Sequence, residues 1–155
     1  MRKLTRGTLV LMFGLLIVIT ALPAFSATLD EMAVAECMDQ WAKALDAGDV
    51  SLLSSLLTDD ASIESSDLRK VVGKNDFLTA FEKGFKTRKS TFRTITKRLL
   101  ELPITVSGNQ AIAIRKVEVT VTGPDMRQPW RGTVASEYRL RRENGAWKIY
   151  YNRDN

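Results

Sequence analysis

The hydrophobic period of this chain changes near Ser90, and that change does most to limit the folds open to it. Upstream, apolar residues recur every three or four positions, the spacing of one helix face; downstream they alternate, the spacing of a strand with one buried face. Helices first and strands afterwards predict an α+β fold, a bent antiparallel sheet wrapped as a cone around N-terminal helices. The spacing predicts a helix over Leu29 to Ala47, with Met32, Ala33, Cys37, Trp41, Ala44 and Leu45 as its apolar stripe. Gly48 stops it as a C-cap, and Asp49 caps a second helix over Val50 to Leu57. Thr58-Asp59-Asp60 reads as a turn, Ala61 to Glu64 as a short strand, and Ser65 to Gly73 as a polar loop. Asn75 or Asp76 caps a third helix running to about Lys86, with Phe77, Leu78, Phe81 and Phe85 on one face.

Beyond Ser90, Thr91 to Val106 is β-rich and interrupted by Pro103, which marks a bend or an edge. Gln110 to Thr122 is the clearest strand, with Ile112 and Ile114 and then Val117, Val119 and Val121 as its apolar set. The apolar phase slips between Arg115 and Lys116, which predicts a β-bulge there. Arg131 to Arg142 alternates, with Val134, Ser136, Tyr138 and Leu140 on one face and Thr133, Ala135, Glu137, Arg139 and Arg141 on the other. Asn144-Gly145 is a tight hairpin turn into a last strand, Ala146 to Asn152, with Trp147, Ile149 and Tyr151 inward.

Residues 1–26 have the order of a secretory signal peptide. Arg2, Lys3 and Arg6 precede an apolar run from Leu9 to Ile19, and Pro23 and Ala24-Phe25-Ser26 close it with a small-residue cleavage site. Residues 27–155 then form the single mature domain, expected in the periplasm or secreted. If the segment is not cleaved, residues 7–25 are just long enough to anchor the chain in a membrane.

Removing the signal takes three cations from a chain of net charge +5, so the mature domain is nearly neutral. Together with the compartment, that argues against nucleic acid as a partner. The charge is unevenly placed. Ala27 to Asp67 holds ten acids and one lysine, whereas Leu68 to Asn155 holds 19 basic residues and eight acids. An acidic helix packed near a basic sheet accounts for this, as does a basic sheet face that meets an anionic ligand.

The chain has no His and a single Cys, so the commonest general base near neutral pH and any internal disulfide are excluded. No metal constellation, Gly-rich phosphate loop or serine-nucleophile motif is present, and no cofactor is implied. Cys37 reads as a buried inert thiol or as the source of an intermolecular disulfide.

Three stretches resemble one family: Trp41-Ala-Lys-Ala-Leu-Asp-Ala-Gly-Asp49 followed by Leu56-Leu-Thr-Asp-Asp-Ala-Ser-Ile63, then Val72-Gly-Lys-Asn-Asp-Phe-Leu-Thr-Ala-Phe81, then Asn144-Gly-Ala-Trp-Lys-Ile149. In order and spacing they resemble the nuclear transport factor 2-like superfamily, also called SnoaL-like or ketosteroid-isomerase-like. The resemblance implies the cone fold. It implies no single activity, because that superfamily hosts isomerases, cyclases, hydratases, binding proteins and oligomerisation modules. Ketosteroid isomerase chemistry is not matched. The resemblance sets its base at Ser65 beside Glu64, its oxyanion-hole tyrosine at Trp41, and its second acid near Thr133 and Ser136.

The expected function is binding of a small apolar or amphipathic molecule in the cone. The alternatives are an isomerase, lyase or hydrolase using Glu64 as acid–base with Tyr138 or Trp41 as donor, and a homodimeric interaction module. Glu64 is either a pocket carboxylate or a solvated strand-end residue. Tyr138 and Ser136 share the inner face, where Tyr138 orients a ligand or simply fills core. Arg115, at the suspected bulge, either turns inward to hold an anion or stays solvated. Trp130 caps the cone mouth or anchors packing. In the resembled superfamily the outer sheet face is often a dimer interface, and Glu137, Arg139, Arg141, Lys116 and Glu118 give it mixed charge here.

Overall fold

The computed structural model describes residues 28–65, 70–89, 94–124 and 126–154. The expected signal segment lies outside the described residues. Helix α1 spans Leu29–Ala47. A capping box starts it: the Thr28 hydroxyl accepts from the Glu31 N–H at 3.1 Å, and the Glu31 carboxylate accepts from the Thr28 N–H at 2.7 Å. Gly48 ends it at φ 73°, with its N–H on the Ala44 carbonyl. A side chain at Gly48 would also place a Cβ 2.2 Å from the Phe85 ring, so glycine is required twice over. Asp49 caps α2, Val50–Leu56, through the Leu52 N–H at 2.9 Å. The buried stripe of α1 is Val34, Cys37, Met38, Trp41 and Ala44. Met32, expected in that stripe, is 58% exposed, because the stripe is rotated toward Val34 and Met38.

Strand β1, Leu57–Ser65, follows α2 directly and pairs with β2, Lys70–Gly73. The turn expected at Thr58-Asp59-Asp60 is instead absorbed into β1, whose register against its neighbour shifts between Leu57 and Ser62. Part of the loop expected over Ser65 to Gly73 is strand β2. Helix α3 runs Lys74–Lys89 and lays Phe77, Leu78 and Phe81 on the core. The remaining strands are β3 Thr94–Glu101, β4 Ile104–Ser107, β5 Gln110–Thr122, β6 Trp130–Glu143 and β7 Ala146–Asp154.

The seven strands form one curved sheet in the order β2-β1-β7-β6-β5-β3, with β4 also on β5. The sheet is mixed rather than wholly antiparallel, since β1 runs parallel to β7. The two strands lie about 90 positions apart in the sequence, so no hairpin dictates their direction. The three helices lie against its concave side. Leu53, Leu57, Ile63, Ala113, Leu140 and Ile149 are fully buried there with Trp41.

The bulge expected in β5 is absent. β5 and β6 pair without interruption from Gln110↔Arg141 to Val121↔Trp130, and the irregularity lies in the neighbouring strand, between Leu99 and Glu101 of β3. Ala111 and Ala113 are the buried residues of β5, while Ile112 and Ile114 face the convex side at 44% and 43% exposure. The buried phase is therefore continuous from Ala111 through Ala113 to Val117, carried at first by small residues. A register shift in β7 also moves Tyr151. Arg139 pairs with Tyr151 but Leu140 pairs with Ile149, so Tyr150 is the extra residue, Tyr151 turns to the convex face, and Asn152 is buried in its place.

Candidate functional site

Two cross-strand rows define the polar part of the concave face. In the first, Ala113, Tyr138, Asn152 and Ile63 pair in turn across β5, β6, β7 and β1, and all four are buried. In the second, Arg115, Ser136 and Asp154 pair across β5, β6 and β7. The Ser136 hydroxyl donates to the Asp154 carboxylate at 2.7 Å. Above these rows, α1 places Trp41 edge-on to Tyr138 at 6.2 Å and stacked on Phe77 of α3 at 5.9 Å. The Trp41 indole N–H is buried without a well-formed hydrogen bond, although it faces the Tyr138 phenol.

Burial pushes the Tyr138 phenol above its ordinary range, helped by the nearby Asp154 charge and opposed by the Trp41 N–H, the Ser136 hydroxyl and Arg115. Tyr138 is thus held as a neutral hydrogen-bond donor through the physiological range. Burial likewise pushes the Cys37 thiol up to about 11, with Glu36 adding to it, and its Sγ donates to the Trp147 carbonyl at 3.4 Å. That is the environment of an unreactive thiol.

Arg115 lies on the concave face by plain alternation with Ala113 and Val117, without the bulge that was expected to turn it. It lines a cavity of about 260 Å³ between α1 and β3, together with Met38, Leu99, Leu102 and the Lys97–Asp46 ion pair, which measures 2.6 Å. Sequence reasoning missed the α1 and β3 walls of this cavity. The signal lay in the α1 spacing Ala35, Met38, Asp39, Ala42, Lys43 and Asp46, a mixed polar stripe beside the buried one.

The sequence candidates divide between the two faces. Trp41, Arg115, Ser136 and Tyr138 come together on the concave side. Trp130 shares the parity of Ser136 but sits at the far end of β6, 51% exposed, its ring against Gly132, where a Cβ would lie 2.4 Å from it. Glu64, read as either a pocket carboxylate or a strand-end residue that is solvated or paired with an arginine, is on the convex face, because the buried residues of β1 are Ala61 and Ile63. There it accepts a hydrogen bond from Tyr151 and faces Arg153 at 3.8 Å. It cannot reach a ligand on the other side of the sheet. Among the described residues no three His, Cys, Asp or Glu side chains converge as metal ligands, and no helix is long and apolar enough to cross a membrane.

No curated protein matches the sequence. Solved structures do match the fold. An NTF2-like protein of unknown function from Pseudomonas putida KT2440 superposes with a TM-score of 0.70 at 16% identity, over 83% of this chain and 87% of that one. An uncharacterised protein with a cystatin-like fold from Caulobacter vibrioides gives 0.65 at 16% identity, over 80% of this chain and 87% of that one. A candidate ketosteroid isomerase from Shewanella frigidimarina gives 0.63 at 19% identity, over 79% of this chain and 94% of that one. These identities carry the fold alone. The sequence itself matches the SnoaL-like domain over residues 26–153, nearly its whole length, and the chain belongs to the SnoaL-like domain family.

Proposed function

We propose that this chain binds a small, largely apolar molecule between α1 and the concave face of its sheet, without itself carrying an acid–base set for ketosteroid isomerisation. The observation that carries this reading is the cavity of about 260 Å³ between α1 and β3, lined by Met38, Leu99, Leu102 and Arg115. Five apolar side chains and five charged ones share the lining, a mixture that suits an amphipathic molecule with an apolar body and a polar end. The order of residues 1–26 supports placing this binding outside the cytoplasm. Native mass spectrometry of the protein recovered from the exported fraction tests the whole reading. A retained small molecule and the loss of residues 1–26 are expected; a protein that is never found with a ligand, even after incubation with small-molecule libraries, would count against it.

A second reading rests on the convex face. Ile112 and Ile114 are exposed there among Glu137 and Arg139, and the Arg139 guanidinium donates to Glu137 at 2.7 Å. Apolar residues framed by both charge signs suit a self-complementary two-fold interface. Sedimentation of the wild type and of Ile112→Lys tests it: a dimer that the substitution dissociates supports the interface, and a monomeric wild type at high micromolar concentration removes it.

A further inference from the structure

We infer that the α1–β3 cavity selects a small monoanion, a carboxylate with an apolar body, and that Arg115 is its counter-ion. This rests on the ligand-binding reading above and names the class of ligand. The cavity is lined by three cations, Lys43, Lys97 and Arg115, and by two acids, Asp39 and Asp46. Both acids are already matched. Lys43 holds Asp39 at 2.5 Å along one turn of α1, and Lys97 reaches from β3 to Asp46 at 2.6 Å. Arg115 is left over: among the described residues it makes neither an ion pair nor a hydrogen bond. The acid nearest to it in register, Asp154, accepts from Ser136 instead.

A half-buried guanidinium with its planar array of donors unused is complementary to two oxygens in a plane. One excess positive charge is neutralised by a monoanion, whereas a phosphate dianion would leave the cavity negative beside Asp39 and Asp46. Met38, Leu99, Leu102, Ala35 and Ala42 offer the rest of the ligand an apolar bed. A cavity of about 260 Å³ has room for a small carboxylate such as benzoate.

Titration calorimetry of the full chain with benzoate, benzamide and inorganic phosphate tests the inference. Benzoate is expected to bind at least about tenfold more tightly than benzamide, which has the same ring and no charge. Arg115→Gln is expected to remove that preference, so that benzoate and benzamide bind the variant equally. Arg115→Lys, which keeps the charge and loses the planar fork, is expected to fall between the two, and it carries the test if the glutamine variant does not fold. Equal binding of benzoate and benzamide would overturn the anion inference, as would undiminished benzoate binding by Arg115→Gln or tighter binding of phosphate than of benzoate. In those cases the cavity reading survives if Leu99→Trp, which fills the cavity, abolishes binding. If none of the three probes binds, the anion inference falls, while the binding reading stands or falls on the retained-ligand experiment above.

Discussion

The Tyr151 hydroxyl donates to the Glu64 carboxylate at 2.9 Å on the convex face of the sheet, with the Arg139 guanidinium 5.0 Å above the Tyr151 ring. This pairing takes the best carboxylate in the sequence away from the cone and gives it a structural neighbour. The hydrogen bond to Glu64 is the largest reason the Tyr151 phenol is raised above its ordinary range. Glu64→Gln is therefore expected to leave ligand affinity unchanged and to move the Tyr151 ionisation back toward that of an ordinary phenol. Ultraviolet titration of the phenolate band, with Tyr151→Phe to assign the signal, reads the shift. A loss of ligand binding in Glu64→Gln would mean that the convex face takes part after all.

Cys37 sets an alkaline limit to stability. Its folded pKa is about 11 against an ordinary 9.0, so the folded protein holds the thiol proton more tightly than the unfolded chain does. Below pH 9 both states are protonated and the contribution is complete. From there to about pH 11 the unfolded chain ionises first, and stability is lost by up to about 3 kcal/mol at 1.36 kcal/mol per unit. The raised Tyr138 acts in the same direction from its ordinary value of 10.0 upward. Urea unfolding from pH 8 to 11 should show this decline, and Cys37→Ala should flatten it while lowering stability at pH 8 through lost packing. An equally steep decline in the variant would assign the effect elsewhere.

The helices and the hairpin were legible because their signals are local: the Gly48 stop, the Asp49 cap and the Asn144-Gly145 turn, with φ of 51° and 83°, are each fixed within a few residues. The faces of the strands were less so. Ala111 and Ala113 carry the buried phase of β5 with small side chains, so the larger Ile112 and Ile114 pointed the reading to the wrong side. The position of Tyr151 depends on an extra residue at Tyr150, and the parallel pairing of β1 with β7 joins residues about 90 positions apart. Of the candidate site, Trp41, Ser136 and Tyr138 were readable from periodicity. The cavity walls from α1 and β3 were not, since their meeting is a tertiary event that no single segment encodes.

Gly48 and Gly145 separate two costs that a glycine substitution can carry. Both have positive φ, at 73° and 83°, but a Cβ at Gly145 meets nothing within 4 Å, whereas one at Gly48 meets the Phe85 ring at 2.2 Å. Gly145→Ala should cost about 1 kcal/mol, the strain of alanine in the left-handed region. Gly48→Ala carries the same strain and must also displace Phe85, whose ring lies tilted against Phe81 at 5.8 Å. It is expected to cost at least about 1 kcal/mol more, by analogy with overpacking a filled core. Urea midpoints of the two variants give the comparison directly, and equal losses would show that Phe85 moves aside freely.

Trp41 tests whether its side chain is present for volume or for its N–H. The ring is 1% exposed and wedged between Phe77 and Tyr138, so Trp41→Ala should cost about 3–5 kcal/mol through the cavity it leaves. The buried N–H makes no well-formed hydrogen bond, and an unmet buried donor costs about 1–3 kcal/mol. Trp41→Phe removes that donor along with part of the ring, and the two effects oppose each other. Its stability should therefore lie within about 1.5 kcal/mol of wild type. Affinity for the retained ligand then decides the role of the N–H. Unchanged affinity in Trp41→Phe would make Trp41 a packing residue. A loss of binding at near-native stability would mean that an acceptor on the ligand meets the N–H.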